Sequence, residues 1–241
     1  MKRTERRHLK ENELELLTRH AREAIDARRR EVAGAAIAIA VVGVLALAYF
    51  GWNQRVEGRA HAMLADAIAV QDARIVPPGG TAPQSTTGTF PTGQARAEAA
   101  LAKFKAAADA YPSTEAGKFA RYQHAATLMT LGRPAEAAQA YQDVINRDGK
   151  GIYGQMARLG LAEAHARAGQ YDQAINGFKE LAQRKDGPLP IDGILMQLGR
   201  TYLDAGKRAD AQQTFNRLVE EYPESPYSGD ARKELENLKK T

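Results

Sequence analysis

The side chains able to do chemistry are few in this 241-residue chain, and none stands at a working spacing. Its five histidines, His8, His20, His61, His124 and His165, form no H-E-x-x-H and no other metal-ligand pattern. Arg147-Asp-Gly-Lys-Gly151 comes nearest to a phosphate loop, but it lacks the P-loop spacing and the following Ser or Thr. It reads instead as a turn. There is no Gly-x-Ser-x-Gly nucleophile elbow. Absence of cysteine removes thiol chemistry, disulfides and a lipid anchor on cysteine. Carboxylates are spread over helical stretches, where they solvate a face or pair with cations four residues away. The sequence therefore predicts no catalytic residue, no metal and no cofactor. This is not the pattern of an enzyme.

A binding surface is what remains, and a fixed period tells which elements build it. Gly132, Gly169 and Gly206 lie 37 residues apart. Five residues behind each stands an alanine (Ala137, Ala174, Ala211), and nine behind each an aromatic ring (Tyr141, Phe178, Phe215). Glycine suits a tight helix-to-helix turn because it takes φ > 0 without a Cβ clash. The alanine permits close helix approach, and the ring four residues on shares its face. Tyr111-Pro112 returns as Tyr222-Pro223, and Ala120-Arg121 as Ala157-Arg158 and Ala231-Arg232. Such periodicity means stacked helix pairs rather than one closed core.

These landmarks resemble the tetratricopeptide repeat (TPR) family. Gly169-Gln-Tyr-Asp-Gln-Ala-Ile-Asn-Gly-Phe178 looks like the signature of its second helix. Leu198, Gly199 and Tyr202 match the core of its first, and Pro223 stands where a repeat closes. Two departures are visible. The 37-residue period exceeds the usual ~34, which predicts longer loops at Arg147–Tyr153 and Lys185–Pro190. The tryptophan typical of the first helix is replaced by Arg121, Arg158 and Leu195.

The second landmark is a charge-free run, Val32 to Trp52, of 21 residues. At ~1.5 Å per residue it spans ~30 Å of hydrocarbon, and Tyr49, Phe50 and Trp52 cluster at its end as interfacial aromatics do. Residues 1–31 hold ten Lys and Arg, against Arg55 and Arg59 just beyond the run. The positive-inside rule then places the N-terminus in the cytoplasm and the repeats in a bacterial periplasm. A cleaved signal peptide is the rival reading. It would carry a short basic leader and an apolar core of only ~7–15 residues, whereas about thirty residues, seven of them acidic, precede this run.

Net charge is +5, of which the first 31 residues carry +3, so the repeats are near neutral. A nucleic-acid binder should show a concentrated basic face. No nucleic acid or small-molecule substrate is expected. The predicted architecture is all-α: a single N-terminal transmembrane helix followed by an α-solenoid of TPR-like helix-turn-helix repeats. Residues 1–31 form a basic tail with an amphipathic helix over Glu11–Arg30, and 32–52 the span. Residues 53–75 continue as a helix, 76–94 form a flexible Gly/Pro/Ser/Thr-rich loop, and 95–241 the repeats with a capping helix over Gly229–Leu238.

Transferred through the glycine register, the family's groove-facing positions fall on Phe119, Tyr122, Met129, Met156, Leu159, Glu163, Arg167, Met196, Arg200 and Leu203. Three of the chain's five methionines are among them. Methionine re-packs around varied partners and is over-used on promiscuous surfaces, but it also fills gaps between helices. In layout the chain resembles the YfgM-like family, an ancillary subunit of the SecYEG translocon with a cytoplasmic tail, one anchor and a periplasmic TPR-like domain. Tyr111-Pro-Ser-Thr and Tyr222-Pro-Glu-Ser-Pro-Tyr227 also look like repeats of the Tol-Pal coordinator and of the outer-membrane assembly lipoprotein. The first resemblance implies an accessory or chaperone-like factor whose partners are proteins: translocon subunits, client polypeptides or other envelope proteins. A purely structural scaffold in a larger envelope complex is the alternative.

Overall fold

The computed structural model of the chain describes residues 29–76, 88–184 and 189–240. The expected amphipathic helix over Glu11–Arg30 lies outside them save for its last two residues, as does most of the expected 76–94 loop. Two compact units are present, Met1–Arg55 and Val56–Thr241.

Helix α1 runs from Arg29 to Gln71, 43 residues without a break. Across the first unit its described side chains are open on every side. Val42 is 65% exposed, Leu47 74% and Trp52 64%, and no residue of its apolar window is buried. A helix apolar all round belongs either in a core or in a membrane, and nothing among the described residues covers this one. Among the described residues it is the one helix long and apolar enough to cross a bilayer.

The second unit is a stack of helix pairs. After α1 come α2 (Gly93–Ala110), α3 (Glu115–Thr130), α4 (Pro134–Asp148), α5 (Ile152–Arg167), α6 (Tyr171–Gln183), α7 (Ile191–Asp204), α8 (Arg208–Glu221) and α9 (Ser228–Lys240). Each packs mainly on its sequence neighbours. Gly132, Gly169 and Gly206 close α3, α5 and α7 at φ +70, +74 and +73. Each closure is a Schellman motif: for Gly169, its own N–H donates to Ala166 O (3.0 Å) and that of Gln170 to His165 O (2.8 Å). Two other glycines serve packing. A Cβ on Gly160 would lie 2.4 Å from the Tyr141 ring, and one on Gly199 2.3 Å from that of Phe215.

These two uses of glycine predict different faults. Gly169→Ala should cost about 1–2 kcal/mol, from the left-handed backbone alone, since no atom lies within 4 Å of the new methyl. Gly199→Ala should cost about 1–3 kcal/mol by overpacking, and it should also disturb the near-ultraviolet circular dichroism of the aromatic core. Urea unfolding midpoints check both; a wild-type midpoint for Gly169→Ala would refute the turn geometry.

The 37-residue register runs through the core. Ala100, Ala137, Ala174 and Ala211 are fully buried, as are Phe104, Tyr141, Phe178 and Phe215 beside them. Thus the pattern begins one period earlier than the first turn glycine. Ala60, Leu64 and Ala67 on α1 pack with Phe104 and Ala107 on α2, and the compact unit that holds the repeats begins at Val56. The intervening loop is closed at its base. Arg74–Ile75 (β1) pairs in parallel with Thr89–Phe90 (β2), Val76 N–H donates to Phe90 O (2.9 Å), and the Arg96 guanidinium donates to Ala73 O (3.0 Å). A two-residue ladder leaves no alternating pattern for a sequence reading to find. The longer loop expected at Arg147–Tyr153 shrinks to 149–151, because α4 and α5 extend into it.

Candidate protein-binding face

The first helices of successive pairs line one wall: α3 touches α5, and α5 touches α7. Near its start the wall is aromatic. Phe119 and Tyr122 on α3 meet Tyr153 on α5, with ring centroids 5.5 and 6.4 Å apart, and Tyr122 also lies 5.9 Å from Tyr141 on α4. Tilted pairs at such distances are favoured by the ring quadrupole. Phe119, Tyr122 and Tyr153 keep part of their surface open, whereas Tyr141 is buried beneath them.

Glu163, one turn beyond Leu159 on α5, stands in the field of this cluster. Burial raises its carboxyl above the ordinary value of 4.5, against the pull of Arg167. Burial likewise raises the Tyr122 phenol, with the Glu163 charge adding to it, and Tyr141 moves the same way for the same first cause. A carboxylate with a raised folded-state pKa costs stability once the pH exceeds its unfolded value, and costs none below it. Glu163→Gln should therefore raise the unfolding midpoint at pH 7 and leave it unchanged once the pH is below 4.5. An unchanged midpoint at pH 7 would show that Glu163 is solvated.

Of the ten residues assigned to the groove, Phe119, Tyr122 and Glu163 come together here. Met129 is half-buried against the middle core cluster, Leu159 and Leu203 against the C-terminal one, and Met156 is half-buried on α5. Arg167 is exposed; Arg200, also exposed, pairs with Asp230 at 3.8 Å. Met196 is a correction. It is 1% exposed within the C-terminal core cluster with Phe178 and Phe215, so it lines no groove. Tyr153 is the residue the register missed, although it precedes Met156 by three and so shares its helical face.

His124 is half-buried on α3, its imidazole pKa lowered by burial and by Lys105. His165 Nδ1 on α5 and Gln170 Oε1, at the N-cap of α6, form a hydrogen bond. Among the described residues no group of three His, Cys, Asp or Glu is placed to hold a metal ion.

Residues 122–190 and 194–225 each match a tetratricopeptide repeat family model. Among solved structures, a Podosopora anserina protein of nearly identical TPR-like repeats is similar at TM-score 0.56. It is 13% identical, and the match covers 76% of this chain and 86% of that one. A point variant of it, 14% identical, gives TM-score 0.56 over 76% of this chain and 85% of that one. A tetratricopeptide repeat protein from Parabacteroides merdae, 18% identical, gives TM-score 0.48 over 60% of this chain and 54% of that one. No curated protein matches the sequence.

Proposed function

We propose, from a chain carrying tetratricopeptide repeats behind one exposed apolar helix, a membrane-anchored periplasmic protein that binds other proteins. Repeats of this kind are protein-interaction modules. The anchor reading rests on the complete exposure of α1 over its apolar window, and the sidedness on the basic residues before it. In this reading the open aromatics Phe119, Tyr122 and Tyr153, edged by Glu163 and Arg167, receive an extended or helical segment of the partner. Met129 and Met156 supply adaptable contacts on the same wall. The bacterial inner membrane, with the N-terminus in the cytoplasm, is its place. Its role is that of an accessory or chaperone-like factor at the Sec translocon or elsewhere in envelope biogenesis.

The single observation that carries binding is the ring cluster left partly open on the first-helix wall. Exposed aromatics are the anchors that dominate interfaces. A photo-crosslinking side chain at Tyr122, in native membranes, should capture discrete protein partners, whereas one at the exposed Gln212 of α8 should not. Equal capture at both positions would sink the wall as the binding face. Protease added outside spheroplasts should remove the chain beyond Asn53 and spare the tail. Protection of the repeats would refute the periplasmic assignment.

A further inference from the structure

The first-helix wall carries a carboxyl group with no partner of its own. Glu163 forms no hydrogen bond and no ion pair with any described residue. Arg167, one turn on, is exposed and acts on it only through its field. Glu163 is half-buried, yet neither of its oxygens is sealed from water. A side chain from outside can reach them.

Its place among the rings follows from Tyr141. That ring rests on Gly160, and the atom nearest to a Cβ there would be Tyr141 Cζ, the carbon that bears the hydroxyl. Glu163 is the next residue along the same face of α5. Tyr122, its ring 5.9 Å from that of Tyr141, stands in the field of the same carboxylate. The acid therefore borders the aromatic cluster, on the side of its hydroxyls.

Neither the acid nor the open rings are demanded by the repeat. One period from Glu163 stand Ala126 and Arg200, and one period from Tyr153 stand Ala116 and Pro190. Phe119 gives way to Met156 and then Gly193, and Tyr122 to Leu159 and then Met196. Four departures from the register thus gather at one place on the wall. Helix stacking does not explain them.

We infer that this place seats one arginine side chain of the partner segment, its guanidinium against the open rings of Phe119, Tyr122 and Tyr153 and donating to the Glu163 carboxylate. Ring faces are electron-rich and attract a cation. Of the two long cations, arginine is the one that both stacks on rings and forks onto a carboxylate. An apolar or acidic segment would instead cover Glu163 and leave its charge unpaired, which is costly. The inference rests on the first-helix wall being the binding face.

The test uses the full chain in detergent micelles, with para-fluorophenylalanine in place of Phe119 and its fluorine resonance as the reporter. The probes are acetyl-Ala-Leu-Arg-Leu-Ala-amide and the same peptide with citrulline, the neutral isostere of arginine. The arginine peptide should bind saturably and at least tenfold more tightly than the citrulline one. Glu163→Gln should erase that difference by weakening the arginine peptide alone, and Arg167→Gln should bind it no less tightly than the unaltered chain. Binding that appears only in Arg167→Gln would overturn the proposal, because Arg167 would then already fill the site. A reporter shift with protein concentration alone would make a second copy the occupant and overturn it too, as would a chain that binds neither peptide. Equal binding of both peptides, lost in Tyr122→Ala, would overturn it while leaving the wall in place. Failure of the Tyr122 crosslink removes the wall itself, so the two readings fail separately.

Discussion

Phe178→Ala should destabilise the repeats by about 3–5 kcal/mol, the range for emptying a buried phenylalanine site. Phe178 is 1% exposed, with Ala174 and Ile175 on its own helix and Ile194, Leu195 and Phe215 in the same cluster. Two fixed helix pairs meet there, and neither can collapse into the hole without disturbing the other. Urea unfolding of the full chain in micelles, followed by circular dichroism, reads the loss. Phe119→Ala is the control. Its ring is partly open, packed on the N-terminal core cluster and tilted against Tyr153, so it should lose less, about 1–2 kcal/mol. A loss below about 1 kcal/mol for Phe178→Ala would mean that the aromatic register does not carry the core.

The second large effect separates two methionines that the sequence placed together. Met196→Ala should cost about 2–5 kcal/mol as a core truncation. Met156→Ala should stay nearer to ~0.5 kcal/mol, the usual bound for sites away from the core, while weakening partner capture. Urea midpoints decide the first part, and crosslinking yield from Tyr122 the second. A loss for Met196→Ala as small as that for Met156→Ala would restore Met196 to the surface wall; capture undiminished by Met156→Ala would remove Met156 from it.

This pair shows where sequence reasoning held and where it stopped. Turn glycines, alanines and rings were legible because backbone handedness and close helix approach admit few residue types. The same register placed Phe119, Tyr122 and Glu163 on one wall. It failed at Met196 because a register gives a helical face, not the depth to which neighbouring chains bury that face. Ile194, Leu195 and Met196 are all buried, so α7 is covered over more of its circumference than α5, where Met156 and Leu159 stay half-open. Tyr222 and Leu235, from beyond α7, are packed against the same cluster. Tyr153 was lost for the complementary reason. It begins a helix that the longer expected loop would have left irregular, and α5 starting at Ile152 is what brings its ring to Phe119.

Each helix of the array packs mainly on those next to it in sequence, and the core falls into three clusters built over successive stretches of chain. No cluster waits for a residue from the far terminus. Low contact order of this kind favours rapid, local condensation, and nearest-neighbour stacking lets it start at one end and propagate. A polypeptide delivered N-terminus first, through a pore or from a ribosome, can thus fold vectorially. The pair around Phe104 closes before the residues that bury Phe178 and Phe215 have emerged, and each completed pair templates the next. Little apolar surface is left waiting at any moment, which is the exposure that drives slow-folding chains to aggregate.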